Sequence, residues 1–186
     1  MGVTLLLGGA RSGKSGLAVR IAEAWRGPVA MIATATAGDG EMAARIAAHR
    51  AERPAAWATV EEPLRLADAV AGCDPAACVI VDCLGLWVSN AMGEGWGDAD
   101  VEAHAARAAA AAAARTAPTV VVTNDVGSGL VPATPLGRRY RDVLGRVNQT
   151  WARHARRAYL VAAGRVLALA PPDDVIHEIT DHGRHT

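Results

Sequence analysis

The chain has 186 residues, 19 Lys plus Arg against 19 Asp plus Glu, and a hydrophobic fraction of 51%. That length suggests one domain with ample apolar material for a core, and the zero formal net charge argues against a nucleic-acid or membrane-surface partner. Phe is absent and aromatic residues amount to 4%, so the core has to be built from Val, Leu, Ile and Ala.

In chain order, "VTLLL" (3–7) predicts a strand leading into "GGARSGKS" (8–15), with a helix after it to about Trp25. "VAMIA" (29–33) is a second strand, and "EMAARIAAHRAE" (41–52) is helical, closed by Arg53-Pro54. "WATVE" (57–61) reads as a strand and "PLRLADAVAG" (63–72) as a helix with proline in its first turn. "CVIVDCL" (78–84) is a buried strand, and "GEGWGDAD" (93–100) is the loop expected to be mobile. An alanine-rich helix occupies 101–116, and "TVVVTND" (119–125) gives another central strand. A long helix follows from about Pro135 to Arg156, then "AYLVAAG" and "RVLALA" as late strands suited to a hairpin.

Strand–helix alternation implies parallel pairing, right-handed crossovers and an open α/β sheet covered on both faces. Residues 1–170 are expected to form a single unit. The polar tail 171–186, with His177, His182 and His185, is expected to be disordered. Cys73, Cys78 and Cys83 match no zinc spacing and are read as small apolar fillers. No signal-peptide pattern opens the chain, and no apolar run suits a membrane span, which points to a cytoplasmic protein.

"GGARSGKS" fits G-x-x-x-x-G-K-[ST] at every fixed position, with a strand before it and a helix after it. Gly8, Gly9, Ala10, Arg11, Ser12 and Gly13 would wrap backbone N–H groups around phosphates at a helix N-terminus. Lys14, the one lysine in the chain, would reach the β- and γ-phosphates, and Ser15 would place a hydroxyl on Mg²⁺. The carboxylate partner of the hydroxyl in such sites ends an apolar strand, and Asp82 in "CVIVD" fits. Nucleoside-triphosphate binding follows. Kinases, motors and switches all use such a loop, so the reaction stays open at this point.

On a helix over 41–52, Arg45 and His49 are i,i+4 neighbours and Arg53 continues their line. Nearby cations lower a histidine pKa and favour the neutral imidazole, a form able to bind or attack an anion. A histidine on an ordinary wet helix has the same pattern.

The motifs "GGARSGKS", "IAT" (32–34), "EMAARI..H...RP.W.T.E" (41–61), "VDCL...VSN" (81–90), "TNDVG.G.VP" (123–132) and "R.YRD..GRVNQ" (138–149) occur together and in order. In this the chain resembles the bifunctional adenosylcobinamide kinase/adenosylcobinamide-phosphate guanylyltransferases of cobalamin biosynthesis, from residue 3 to about 164. The resemblance implies a P-loop NTPase fold of RecA-like type, a largely parallel sheet with a late antiparallel edge, and a homotrimer. It places the guanylylated histidine on His49, with Lys14 as its catalytic companion. Nucleotide contacts are implied for the P-loop, Ala33, Thr34, Ala35, Arg50, Ala51, Glu52, Arg53, Glu61 and Asp82, with Ser15 and Asp82 as the Mg²⁺ ligands. GTP, and ATP as a second phosphate donor, would be substrates beside adenosylcobinamide and its phosphate. A kinase acting on some other small alcohol, or a nucleotide switch without group transfer, are the alternatives.

Overall fold

The computed structural model describes residues 1–36, 40 and 54–182. Its elements are β1 (Val3–Gly8), α1 (Lys14–Glu23), β2 (Val29–Ala33), β3 (Ala58–Glu61), α2 (Leu66–Gly72), β4 (Cys78–Asp82), α3 (Leu84–Gly93), α4 (Asp98–Ala113), β5 (Thr119–Asn124), α5 (Pro135–His154), β6 (Ala155–Ala162), β7 (Arg165–Leu169) and α6 (Pro172–His182). Among the described residues the strands form one sheet in the order β3-β2-β4-β5-β1-β6-β7. Every neighbouring pair is parallel except β6 and β7, which are antiparallel. The expected largely parallel α/β sheet with a late antiparallel edge is therefore observed. The expected helix over 41–52 lies outside the described residues.

Side-chain alternation divides the core in two. Leu5, Ile32, Val79, Val81 and Val121 point to the face packed by α2, α3, α4 and α5, where Trp87, Leu144 and Trp151 are fully buried. Leu6, Met31, Ile80, Val120 and Val122 point to the other face, where Ala18 and Ala22 of α1 pack. Strands buried on both faces read as unbroken apolar runs, which is why "VAMIA" and "CVIVD" carry no polar alternation. The alanines do similar duty on α4: Ala105, Ala108, Ala109 and Ala112 are fully buried, giving the helix a flat side. All three cysteines are free and buried.

Four expectations need correction. The helix drawn from Pro63 starts at Leu66, because the Glu62 carboxylate accepts from the N–H groups of Leu64 (3.0 Å) and Arg65 (2.8 Å) and holds 63–65 in a turn. The strand drawn through Leu84 stops at Asp82, since Cys83 caps α3, a helix for which no element was expected. Its signal was present: Leu84, Trp87, Val88 and Ala91 recur at helical spacing and all are fully buried. The loop set at 93–100 shrinks to 94–97, because Asp100 accepts from the Gly97 N–H (3.3 Å) and draws Asp98 into α4. Trp96 also pins it, edge-on to Trp87 with centroids 6.4 Å apart and 4.3 Å from His104. Finally, the tail is not disordered through 182. Pro172 opens α6, Asp173 and Asp174 sit in its positive first turn, and apolar Val175, Ile176 and Ile179 share one side.

Candidate nucleotide site

The carboxyl ends of the parallel strands form one edge, the place where open α/β sheets bind ligands. Register sets the residues there in rows. Ala33 pairs with Glu61 on one side and Asp82 on the other, and Gly8 pairs with Asn124. Backbone bonds extend the rows one residue further: Glu62 N–H donates to Ala33 O (3.0 Å), Thr34 N–H to Asp82 O (3.2 Å) and Asp125 N–H to Gly8 O (3.2 Å).

The loop 8–15 fills the gap between β1 and α1. Gly8 has to be glycine because an added Cβ would collide with the Val161 carbonyl and the Ser12 hydroxyl. Gly13 has φ +98°, the left-handed region that favours glycine, and it caps α1. Gly164, at the turn between β6 and β7, donates its N–H to Ser12 O (2.9 Å), so the late hairpin props the loop from below. Ser12 Oγ is buried and has no hydrogen-bond partner among the described residues. Such an orphaned hydroxyl fits a site built for an oxygen-rich anion.

Lys14 is buried, its Nζ donating to Gly9 O at 2.9 Å. Burial lowers its pKa from the ordinary value, while the neighbouring Cys83 and Asp82 raise it in part. Ser15 Oγ donates to Asp82 Oδ1 at 3.4 Å, which brings the P-loop hydroxyl and the β4 carboxylate together. Those two oxygen donors suit a hard divalent cation of the Mg²⁺ kind. Among the described residues no group of three or more His, Cys, Asp or Glu could hold a metal ion by itself, so phosphate or water oxygens would complete the shell. The Cys83 thiol is pushed up to about 11 by burial and then by the charge of Asp82, so it stays a neutral filler at neutral pH.

The structure thus brings together Gly8 to Ser15, Ala33, Thr34, Ala35, Asp82 and Glu61 at one edge of the sheet. Glu61 ends β3, an exposed strand at the margin of the sheet. Thr34 is different in kind from its neighbours. Fully buried, it donates its hydroxyl to Cys83 O (2.7 Å) and accepts from Cys83 N–H (2.9 Å), so its side chain is occupied within the protein. His49, with Arg45, Arg50, Ala51, Glu52 and Arg53, lies outside the described residues. Asn90 closes the motif "VDCL...VSN", but sequence reasoning gave it no role. Its amide donates to Thr34 O (2.7 Å) and Pro63 O (3.3 Å), and its carbonyl accepts from Thr36 Oγ1 (3.2 Å). A lone carboxamide in the apolar run "LGLWVSNAM" was the available signal.

A family model described as cobinamide kinase / cobinamide phosphate guanyltransferase matches residues 4–169. The chain is 43% identical over 167 residues to the bifunctional adenosylcobalamin biosynthesis protein CobP of Pseudomonas aeruginosa, covering 89% of this chain and 95% of that one. It is 40% identical over 176 residues to the bifunctional adenosylcobalamin biosynthesis protein CobU of Escherichia coli, covering 86% and 95%. Among solved structures, a Pyrococcus horikoshii protein superposes with a TM-score of 0.55 at 9% identity, over 94% of this chain and 89% of that one, a likeness of fold alone. The chain belongs to the cobinamide kinase / cobinamide phosphate guanyltransferase family.

Proposed function

We propose that this chain phosphorylates adenosylcobinamide and then transfers GMP from GTP, by way of a guanylylated His49, to adenosylcobinamide phosphate. The convergence of Lys14, Ser15 and Asp82 at the ends of β1 and β4 carries the reading. It gives a family member one place to hold the triphosphate for both reactions.

In the kinase step the acceptor hydroxyl attacks the γ-phosphorus and the bond to the β-phosphate oxygen breaks. Such transfers need positioning and charge with no covalent protein intermediate. Lys14 Nζ, held beside the loop, balances charge on the β- and γ-oxygens, and the backbone N–H groups of 8–15 align them. Mg²⁺, held by Ser15 and Asp82, would supply further neutralisation of phosphate charge. In the guanylyl step a neutral His49 nitrogen attacks the α-phosphorus and pyrophosphate leaves. A phosphate oxygen of adenosylcobinamide phosphate then displaces the imidazole, giving adenosylcobinamide-GDP. Arg45, Arg50 and Arg53 would keep the imidazole deprotonated and stabilise phosphate charge, joined in nucleotide contact by Ala51 and Glu52. Glu61 would accept from the guanine N1–H and 2-amino groups. It lies two strands from Asp82 in one register row, about 10 Å at ordinary strand spacing, an offset suited to the path from phosphate to base. The working form is a homotrimer in the cytoplasm. No described helix is long and apolar enough to cross a membrane.

Labelling with α-³²P-GTP tests the reading. Wild type should take up acid-labile, alkali-stable label, and His49→Ala should lose label and guanylyl transfer while keeping phosphorylation of adenosylcobinamide. Arg53→Ala should label about 10²–10³-fold more slowly, the scale of one lost charge-stabilising donor. Label persisting in His49→Ala would move the nucleophile elsewhere.

A further inference from the structure

Asn90 spends both amide protons and its amide oxygen on chain that belongs to other segments. Both amide protons go to carbonyls, Thr34 O at the exit of β2 (2.7 Å) and Pro63 O at the exit of β3 (3.3 Å). The amide oxygen accepts from Thr36 Oγ1 at 3.2 Å. Thr36 stands in sequence at the start of the stretch that carries His49, and Pro63 stands two residues after Glu61. A second clamp lies beneath: the Thr34 hydroxyl grips both the N–H and the carbonyl of Cys83, next to Asp82. The two clamps join at Thr34, whose own N–H donates to Asp82 O (3.2 Å).

We propose that Asn90 is a positioning residue for guanylyl transfer, fixing the point from which the His49 stretch departs relative to the strand end that carries Glu61. The inference rests on the proposed role of His49. Nothing of Asn90 touches substrate; it sets where the base-reading side and the nucleophile-bearing side begin. The kinase step depends on Lys14, Ser15 and Asp82, which the Thr34–Cys83 clamp serves without Asn90. The two reactions should therefore separate.

Thr36→Val and Thr36→Ser make the discriminating pair. Thr36 is exposed, so losing its hydroxyl should leave the unfolding temperature unchanged. With full-length protein, Thr36→Val should slow single-turnover labelling by α-³²P-GTP about five- to tenfold, the rate equivalent of one lost hydrogen bond. The KM for GTP and the kinase rate should stay within about twofold of wild type, and Thr36→Ser should restore labelling. Asn90→Ala should act in the same direction and more strongly. Asn90→Asp should be worse still, because a carboxylate would face the Thr34 and Pro63 carbonyl oxygens. Equal labelling by Thr36→Val and wild type, or equal loss of both activities with a lower unfolding temperature, overturns the inference alone. A wild-type chain that takes no label, or a His49→Ala chain that does, overturns the proposed function and this inference with it.

Discussion

Lys14 is the chain's one lysine, and the fold buries it at the mouth of the sheet. A buried ammonium is held at a disadvantage until an anion arrives. Its pKa is lowered, chiefly by burial, so the free protein should lose this charge at a lower pH than an ordinary lysine would. Triphosphate affinity should accordingly weaken as pH rises toward the ordinary value of 10.5, and Lys14→Met should flatten that limb in a titration of Kd against pH. Lys14→Ala should weaken binding about 10- to 100-fold at neutral pH, as expected for one charged hydrogen bond, and depress both activities. A variant with full activity in both assays would remove the phosphate-loop assignment. Glu61 sets a second expectation at this scale. Adenine lacks the N1–H and 2-amino donors, so a carboxylate built to receive them would be left without them, at about 1–3 kcal/mol or more. Unlabelled ATP should therefore compete poorly against GTP in the labelling assay, and equal potency would exclude Glu61 as the base reader.

Helices α4 and α5 are joined outside the core by a carboxylate–guanidinium cluster. Asp98 accepts from Arg139 Nε at 2.7 Å and Arg146 Nη2 at 2.9 Å, and Arg146 Nε reaches Glu102 at 2.5 Å. The hydrogen bond from Arg139, with the charges of both arginines, holds the Asp98 carboxyl below its ordinary 3.8. A carboxyl lowered on folding stabilises above its unfolded pKa, and that contribution fades as pH falls through the lowered folded value. Asp98→Asn should thus cost about 1 kcal/mol or less at neutral pH, since the pair is partly exposed. The difference from wild type should shrink in urea melts as the pH falls through the lowered carboxyl value. The same elements mark what was legible in the sequence. Apolar runs located the buried parallel strands β1, β2, β4 and β5, and the fixed glycine, lysine and serine spacing located the phosphate loop. Boundaries failed where one side chain intervened, as with Glu62 at the start of α2 and Asp100 at the start of α4. The bonding role of Asn90 stayed hidden because its three partners lie on segments apart in sequence, and only the folded sheet edge assembles them.

For the molecule as a whole, the β7–α6 end leaves apolar side chains in water. Leu167 is 63% exposed and Ile179 70% exposed, with Val166 and Ile176 beside them in the chain. An apolar margin of this kind belongs against another surface, which agrees with the proposed trimer. Sedimentation equilibrium should give three times the 19.2 kDa chain mass. Leu167→Glu should weaken association by about 1.5–3 kcal/mol per buried contact, the value of one large apolar side chain. A monomeric wild type would set the trimer aside. The sheet order also puts β1 between β5 and β6, with the Gly164 turn braced under Ser12. On the ribosome, then, the phosphate loop is made well before the strands and the turn that support it. At about 5–20 residues per second, its strand waits roughly six to thirty seconds for partners encoded more than a hundred residues downstream. A nascent chain stalled before Gly164 should bind no nucleotide, so competence waits on synthesis of the β6–β7 turn that braces Ser12.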